Sequence, residues 1–148
     1  LFVKQEFPDF VKYIPHYEVE GEYAKFPENH KKDHQLDDLP GSMVNAVNSF
    51  ILSTAICWSK GDINKHSSML INASRFTDVH ESIKANVEEY ILDLGRQIEF
   101  TPHAFDLQNP TLKVKELQTL FDNDYHLVSI DSFNTLSQYI LKVIKILN

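Results

Sequence analysis

Residues 67–94, SSMLINASRFTDVHESIKANVEEYILDL, read as a short buried strand feeding a helix. Met69, Leu70 and Ile71 form a continuous apolar run bounded by Ser67, Ser68 and Asn72, the pattern of a parallel strand covered on both faces. The run alone leaves a buried helix segment open. The residues just beyond it favour the strand, because Asp78 and Glu81 make a D-x-x-E start signal and Thr77 offers a second capping oxygen. A helix is expected from about Thr77. Val79, Ile83, Val87, Tyr90, Ile91 and Leu94 then recur at spacings of mainly three and four, while Glu81, Lys84, Glu88 and Asp93 fall largely elsewhere. That helix has one face to bury.

Upstream, Leu39, Pro40, Gly41 and Ser42 mark a boundary. Beyond it Val44, Val47, Phe50, Ile51, Thr54, Ala55 and Trp58 keep helical spacing, and Met43, Ala46, Leu52 and Ile56 add apolar surface on other sides. A helix apolar over most of its circumference belongs at the centre of the fold. Lys60 and Gly61 supply its stop, a cation followed by a glycine. Downstream, residues 95–109 read as a connection with weak structure. Asn109 and Pro110 then start a helix carrying Leu112, Val114, Leu117, Leu120 and Phe121, which Asp122, Asn123 and Asp124 break. In the last segment Phe133, Leu136, Ile140, Val143, Ile144 and Leu147 fit one helix capped at Asp131 or Ser132. Equally, the β-branched residues at 143–147 fit a strand after a shorter helix.

A chain of 148 residues with 43% hydrophobic content buries a core of its own without a metal or disulfide staple. Its one cysteine, Cys57, excludes an internal disulfide, and its apolar neighbours Ala55, Ile56 and Trp58 point to a buried, inert thiol. A reducing, cytoplasmic setting fits. The net charge of −7 repels a polyphosphate overall, so nucleic-acid contact requires a local patch. No apolar run approaches the roughly 20 residues of a membrane span.

Residues 1–38 form an irregular lead-in ahead of a domain at 39–148. Phe2, Val3, Phe7, Phe10, Val11, Tyr13, Ile14, Tyr17 and Tyr23 make it aromatic and apolar, and Pro8, Pro15 and Pro27 interrupt any long helix. Such a segment lies across a surface, either of its own domain or of a neighbouring one. Residues 28–38, ENHKKDHQLDD, read as a solvated loop.

The stretches LPGSMVNAVNSFILSTAICWSKG (39–61) and HSSMLINASRFTDVHESIKANVEEYI (66–91) closely resemble the Z-one domain, which bears an endonuclease label and occurs in bacterial proteins with a superfamily II helicase module. The likeness is best at Leu39, Pro40, Ala46, Phe50, His66, Ser68 to Ile71, Ser74 to Thr77 and Val79. It implies a helix-rich α/β fold, a small parallel sheet with flanking helices resembling part of a RecA-like helicase half. On this reading residues 68–73 form one strand and residues 143–148 the next, and the resemblance overrules the helical reading of the tail. It also implies a fragment of a larger protein that couples ATP-driven motion to DNA handling in restriction or phage defence. Its partners are then DNA and the remaining helicase domains, and no membrane. ATP and Mg are implied for the intact protein and no cofactor for this piece. The chain has no G-x-x-x-x-G-K-[ST] loop, acidic helicase box or nuclease triad, so no catalytic residue is assigned. The alternative role is a helical interaction module docking on a partner domain.

Ser74, Arg75 and Thr77, where the strand hands over to the helix, are the candidate phosphate contacts, since helix-start N–H groups and a guanidinium suit an anion. The competing reading packs the Arg75 stem on the sheet edge beside an acid. His66 is a candidate polar contact between domains, or simply a turn residue. His30 and His34, four apart, have metal-ligand spacing on a helix but lack a third local ligand, and read as a solvated loop. No metal site is assigned. Trp58 and the Phe-rich amino end either stack bases or fill the core, and Glu88 and Glu89 face solvent.

Overall fold

The computed structural model describes residues 12–21, 24–63, 65–101, 104–106, 108, 111–129 and 131–147. They form five α-helices: α1 (His16–Val19), α2 (Gly41–Ser59), α3 (Thr77–Phe100), α4 (Leu112–Leu120) and α5 (Phe133–Leu147), with a π-helical turn, Phe121–Tyr125, continuing α4. No strand occurs among the described residues. The α/β expectation, with its parallel sheet and RecA-like half, is therefore corrected to an all-helical architecture. Of the aromatic and apolar lead-in, Phe2, Val3, Phe7, Phe10, Val11 and Tyr23 lie outside the described residues.

Both expected strands fail for physical reasons. Residues 66–74 are irregular and have no neighbouring strand to satisfy a ladder, and Leu70 is 89% exposed rather than covered. Only Ile71 and Ala73 of that run turn inward, against Phe76 and the start of α3. In the tail, Phe133, Leu136, Ile140, Val143 and Ile144 are all buried, a three-and-four spacing that only a helix puts on one face. The β-branched residues near the end do not prevent this, since packing outweighs a propensity difference of well under about 1 kcal/mol per residue. Ser132 caps the helix, its hydroxyl accepting from Thr135 N at 3.3 Å.

The helix starts obey local chemistry, with amendments. α3 begins at Thr77 as expected, but Asp78 sits in its first turn without capping it. Instead the Ser74 hydroxyl accepts from Phe76 N at 3.1 Å. α3 then runs through Gly95 to Phe100, so the weakly structured connection starts later than expected. Thr111 caps α4, its hydroxyl accepting from Val114 N at 3.4 Å, while the expected Asn109–Pro110 start lies outside the described residues. Asp122 to Asp124 do not break that helix but widen it into the π-turn. α2 stops at Gly61, whose φ of 96° suits a residue without Cβ.

The main core joins α2, α3, α4 and α5. Ile51, Leu52 and Ala55 of α2 meet Leu94 of α3, Val114 and Leu117 of α4, and Leu136, Ile140 and Ile144 of α5. Each large side chain so buried contributes about 1.5–3 kcal/mol relative to exposure. Trp58 belongs to this core. Cys57 does not, contrary to the buried thiol expected; it is exposed, on a stripe with Ala46, Phe50 and Ser53 that leaves the core at helical spacing. A second cluster gathers Phe26, Leu36 and Leu39 over Val79 and Ile83. The 28–38 loop is thus tied down: Leu36 N donates to Ser82 Oγ at 2.9 Å and Asn86 Nδ2 to Leu36 O at 3.0 Å.

The register of α5 makes a direct prediction. Ile140→Ala should cost about 2–5 kcal/mol in urea denaturation, whereas Ile146→Ala, at a position 72% exposed, should change stability by no more than about 0.5 kcal/mol. Equal losses at the two positions would overturn the helical register.

Candidate functional site

The head of α3 brings Ser74, Arg75 and Thr77 together with a residue that the sequence placed in a solvated loop. His30 Nδ1 lies 2.9 Å from Pro27 O and His30 Nε2 lies 2.7 Å from Ser74 Oγ. A carbonyl only accepts, so Nδ1 carries the proton, and in the neutral ring Nε2 accepts the Ser74 hydroxyl proton. His80 Nε2 meets Ser74 O at 2.5 Å, fixing the backbone from the first turn of α3. The His30 ring is itself held between Phe26, His34 and Phe76, with centroids 4.6–5.9 Å away. His30 and His34 do not lie on a helix, and no group of three or more metal-ligating side chains occurs among the described residues.

Arg75 is exposed, with its guanidinium 4.9 Å from the centroid of the Phe76 ring. It forms no ion pair among the described residues, which leaves its donors facing outward. Thr77 is exposed as the first residue of α3. His66 is exposed in the irregular run before it, about a loop's length from the Ser74 group in sequence. Glu88 and Glu89 face solvent.

A second feature lies against residues 69–73, just before Ser74. A cleft of about 760 Å³ is bounded by Tyr13, Ile14 and Tyr17 on one side, Met69 and Leu70 on another, and Leu120, Asn123 and Asp124 of the α4–π-turn junction. Its floor is anchored by Glu18, a buried carboxylate whose Oε1 accepts from Ser42 N at 2.9 Å and whose Oε2 accepts from the Ser42 hydroxyl. Glu18 thereby caps α2 from outside the helix, where its charge meets the positive end of the helix dipole. A Cβ at Gly41 would stand 3.2 Å from Glu18 Oε1, so glycine makes room for the carboxylate. Ser49, which lines the cleft, shares through its Oγ a 2.7 Å hydrogen bond with the Tyr125 hydroxyl of the π-turn. Lys12 pairs with Asp124 at 3.3 Å on the rim.

A smaller polar pocket between α3 and α4 contains Tyr90, Asp93, Arg96 and Lys113. Lys113 pairs with Asp93 and lies 4.6 Å from the Tyr90 ring centroid. The Tyr90 hydroxyl reaches inward and donates to Asn48 Oδ1 of α2 at 2.9 Å, and burial pushes its phenol up to about 12. Beside this bond Asn48 Nδ2 is buried with no hydrogen-bond partner among the described residues. Sequence reasoning missed the His30–Ser74 contact, the role of Glu18 and this Tyr90–Asn48 bond. The only signal for the last was a polar residue, Asn48, inside an apolar helix.

The family model of the Z1 domain matches residues 42–148 of the chain, which includes α2, α3, α4 and α5 and the Ser74–Arg75 turn. No curated protein and no solved structure matches.

Burial of Tyr90 makes one contribution to stability that is lost at alkaline pH. Its folded-state value lies above the ordinary value of 10, so the folded state holds the phenolic proton more tightly than the unfolded chain does. The stabilisation is complete below about pH 10 and declines as pH rises toward 12. In an absorbance titration, one tyrosine should ionise late and together with unfolding, and that component should vanish in Tyr90→Phe.

Proposed function

Because the chain belongs to the Z1 (Z-one) domain family, we propose that it is a helical module of a superfamily II helicase-like protein, with no ATPase or nuclease chemistry of its own, helping to couple ATP-driven motion to DNA handling in bacterial restriction or phage defence. The observation that favours a DNA role for this piece is Arg75, exposed and without a carboxylate partner among the described residues, next to the amino-terminal end of a 24-residue helix. A guanidinium there, with Ser74 and Thr77 beside it, suits a backbone phosphate. The net charge of −7 restricts such contact to this local site. ATP and Mg chemistry then belongs to the remaining helicase domains, because this chain has no phosphate loop.

A second reading, docking on those remaining domains, is favoured by the apolar side chains around the large cleft: Tyr13 and Tyr17 are 68% and 74% exposed, and Leu70 is 89% exposed. The exposed His66, at the start of the same run, would add a polar contact. No described helix is long and apolar enough to cross a membrane, so a bilayer-spanning explanation of this surface finds no support there.

Fluorescence-anisotropy titration of single- and double-stranded DNA across a salt series separates the two readings. The first expects salt-dependent binding that Arg75→Ala weakens severalfold, with a slope shallower by about one counterion. The second expects no DNA binding and a complex with the remaining domains, seen by size-exclusion chromatography, that Leu70→Asp abolishes and Arg75→Ala leaves intact.

A further inference from the structure

The Ser74–His30 pair has the parts of a nucleophile and its base, which the role proposed above does not use. His30 Nε2 stands 2.7 Å from Ser74 Oγ, within the range required for proton transfer. The Pro27 carbonyl, 2.9 Å from Nδ1, fixes the tautomer that leaves Nε2 free to accept. This is the orienting part played in a triad by a carboxylate, taken here by a carbonyl. Phe76 N donates to Ser74 Oγ at 3.1 Å, a contact that favours the alkoxide as the proton leaves. His80 clamps the Ser74 carbonyl, and the Phe26 and Phe76 rings hold the His30 imidazole, so neither partner relies on a mobile loop tip. Both Ser74 and His30 are only partly buried.

We propose that Ser74 is a reactive serine, with His30 as its general base, acting on small activated carboxylic esters. Ser74 Oγ bonds to the ester carbonyl carbon as its proton passes to His30 Nε2. The carbon–oxygen bond to the alcohol then breaks, and His30 returns the proton to the departing alkoxide. Water, deprotonated by the same imidazole, releases the carboxylic acid and restores the hydroxyl. His30 and Ser74 are the catalytic residues, and Pro27 is a positioning residue.

The probe is a fluorophosphonate, which Ser74 attacks at phosphorus with loss of fluoride and transfer of the same proton to His30. The folded chain should be labelled at Ser74, located by peptide mass mapping, and the heat-denatured chain should not. Ser74→Ala should abolish labelling. His30→Gln, checked for retained helicity by circular dichroism, should slow it about a hundredfold. In the unmodified chain p-nitrophenyl acetate should give a stoichiometric burst. Labelling no faster than in the denatured chain, or at another residue, would overturn the proposal and leave the pair as a link between the 24–40 loop and the start of α3. The readout does not involve DNA, so it fails or succeeds independently of the helicase-module reading.

Discussion

α2 carries eight buried residues between Val47 and Trp58, spread around more than half of its circumference. One neighbouring helix cannot cover such a surface. α5 packs along it, α4 and the π-turn close a second side, and α3 reaches it through Ile91, Leu94 and Ile98. The burial of this single helix therefore sets the number of partners and their arrangement. It also explains why α5 must be a helix to its end: Val143 and Ile144 are on the face that seals α2, and a strand would send every other residue of that run into water.

Around this apolar centre, polar side chains act as fasteners at specific points. Tyr90 to Asn48 joins α3 to α2, Tyr125 to Ser49 joins the π-turn to α2, and Glu18 to Ser42 joins the first described segment to the α2 start. Each crosses a large separation in sequence, and each satisfies a group that would otherwise be costly to bury. His30 to Ser74 does the same for the 24–40 loop. The candidate chemistry of the molecule is concentrated at these fasteners because burial has already positioned their hydrogen bonds.

The helices are legible where the sequence carries three-and-four spacing and a stop or start residue. α2, bounded by Gly41 and Gly61, and α3 from Thr77 conform closely to that pattern. The expected sheet does not exist in the described residues, and the error has a clear source. Met69, Leu70 and Ile71 suggest burial because they are apolar, yet burial depends on having a partner, and only Ile71 finds one. For the tail, the residue spacing already indicates a helix, and the family resemblance points away from it. Cys57 departs from expectation for a related reason: in a helix apolar all round, composition does not reveal which stripe faces outward. Of the candidate site, Ser74, Arg75 and Thr77 lie together as expected at a helix start, whereas the approach of His30 across 44 residues leaves no trace in spacing.

Glu18 holds the start of α2 with two oxygens, and the backbone of the short α1 that carries it accepts from Phe26 N at 3.2 Å and from Glu28 N at 2.9 Å. Force applied to α1 would accordingly divide between α2, reached through a carboxylate and a serine, and the 24–40 loop that is fastened to α3. Such a linkage yields at hydrogen bonds, which water can replace one at a time, before any apolar contact has to open. The molecule thus has a weak link under tension that is separate from the contacts that set its thermal stability.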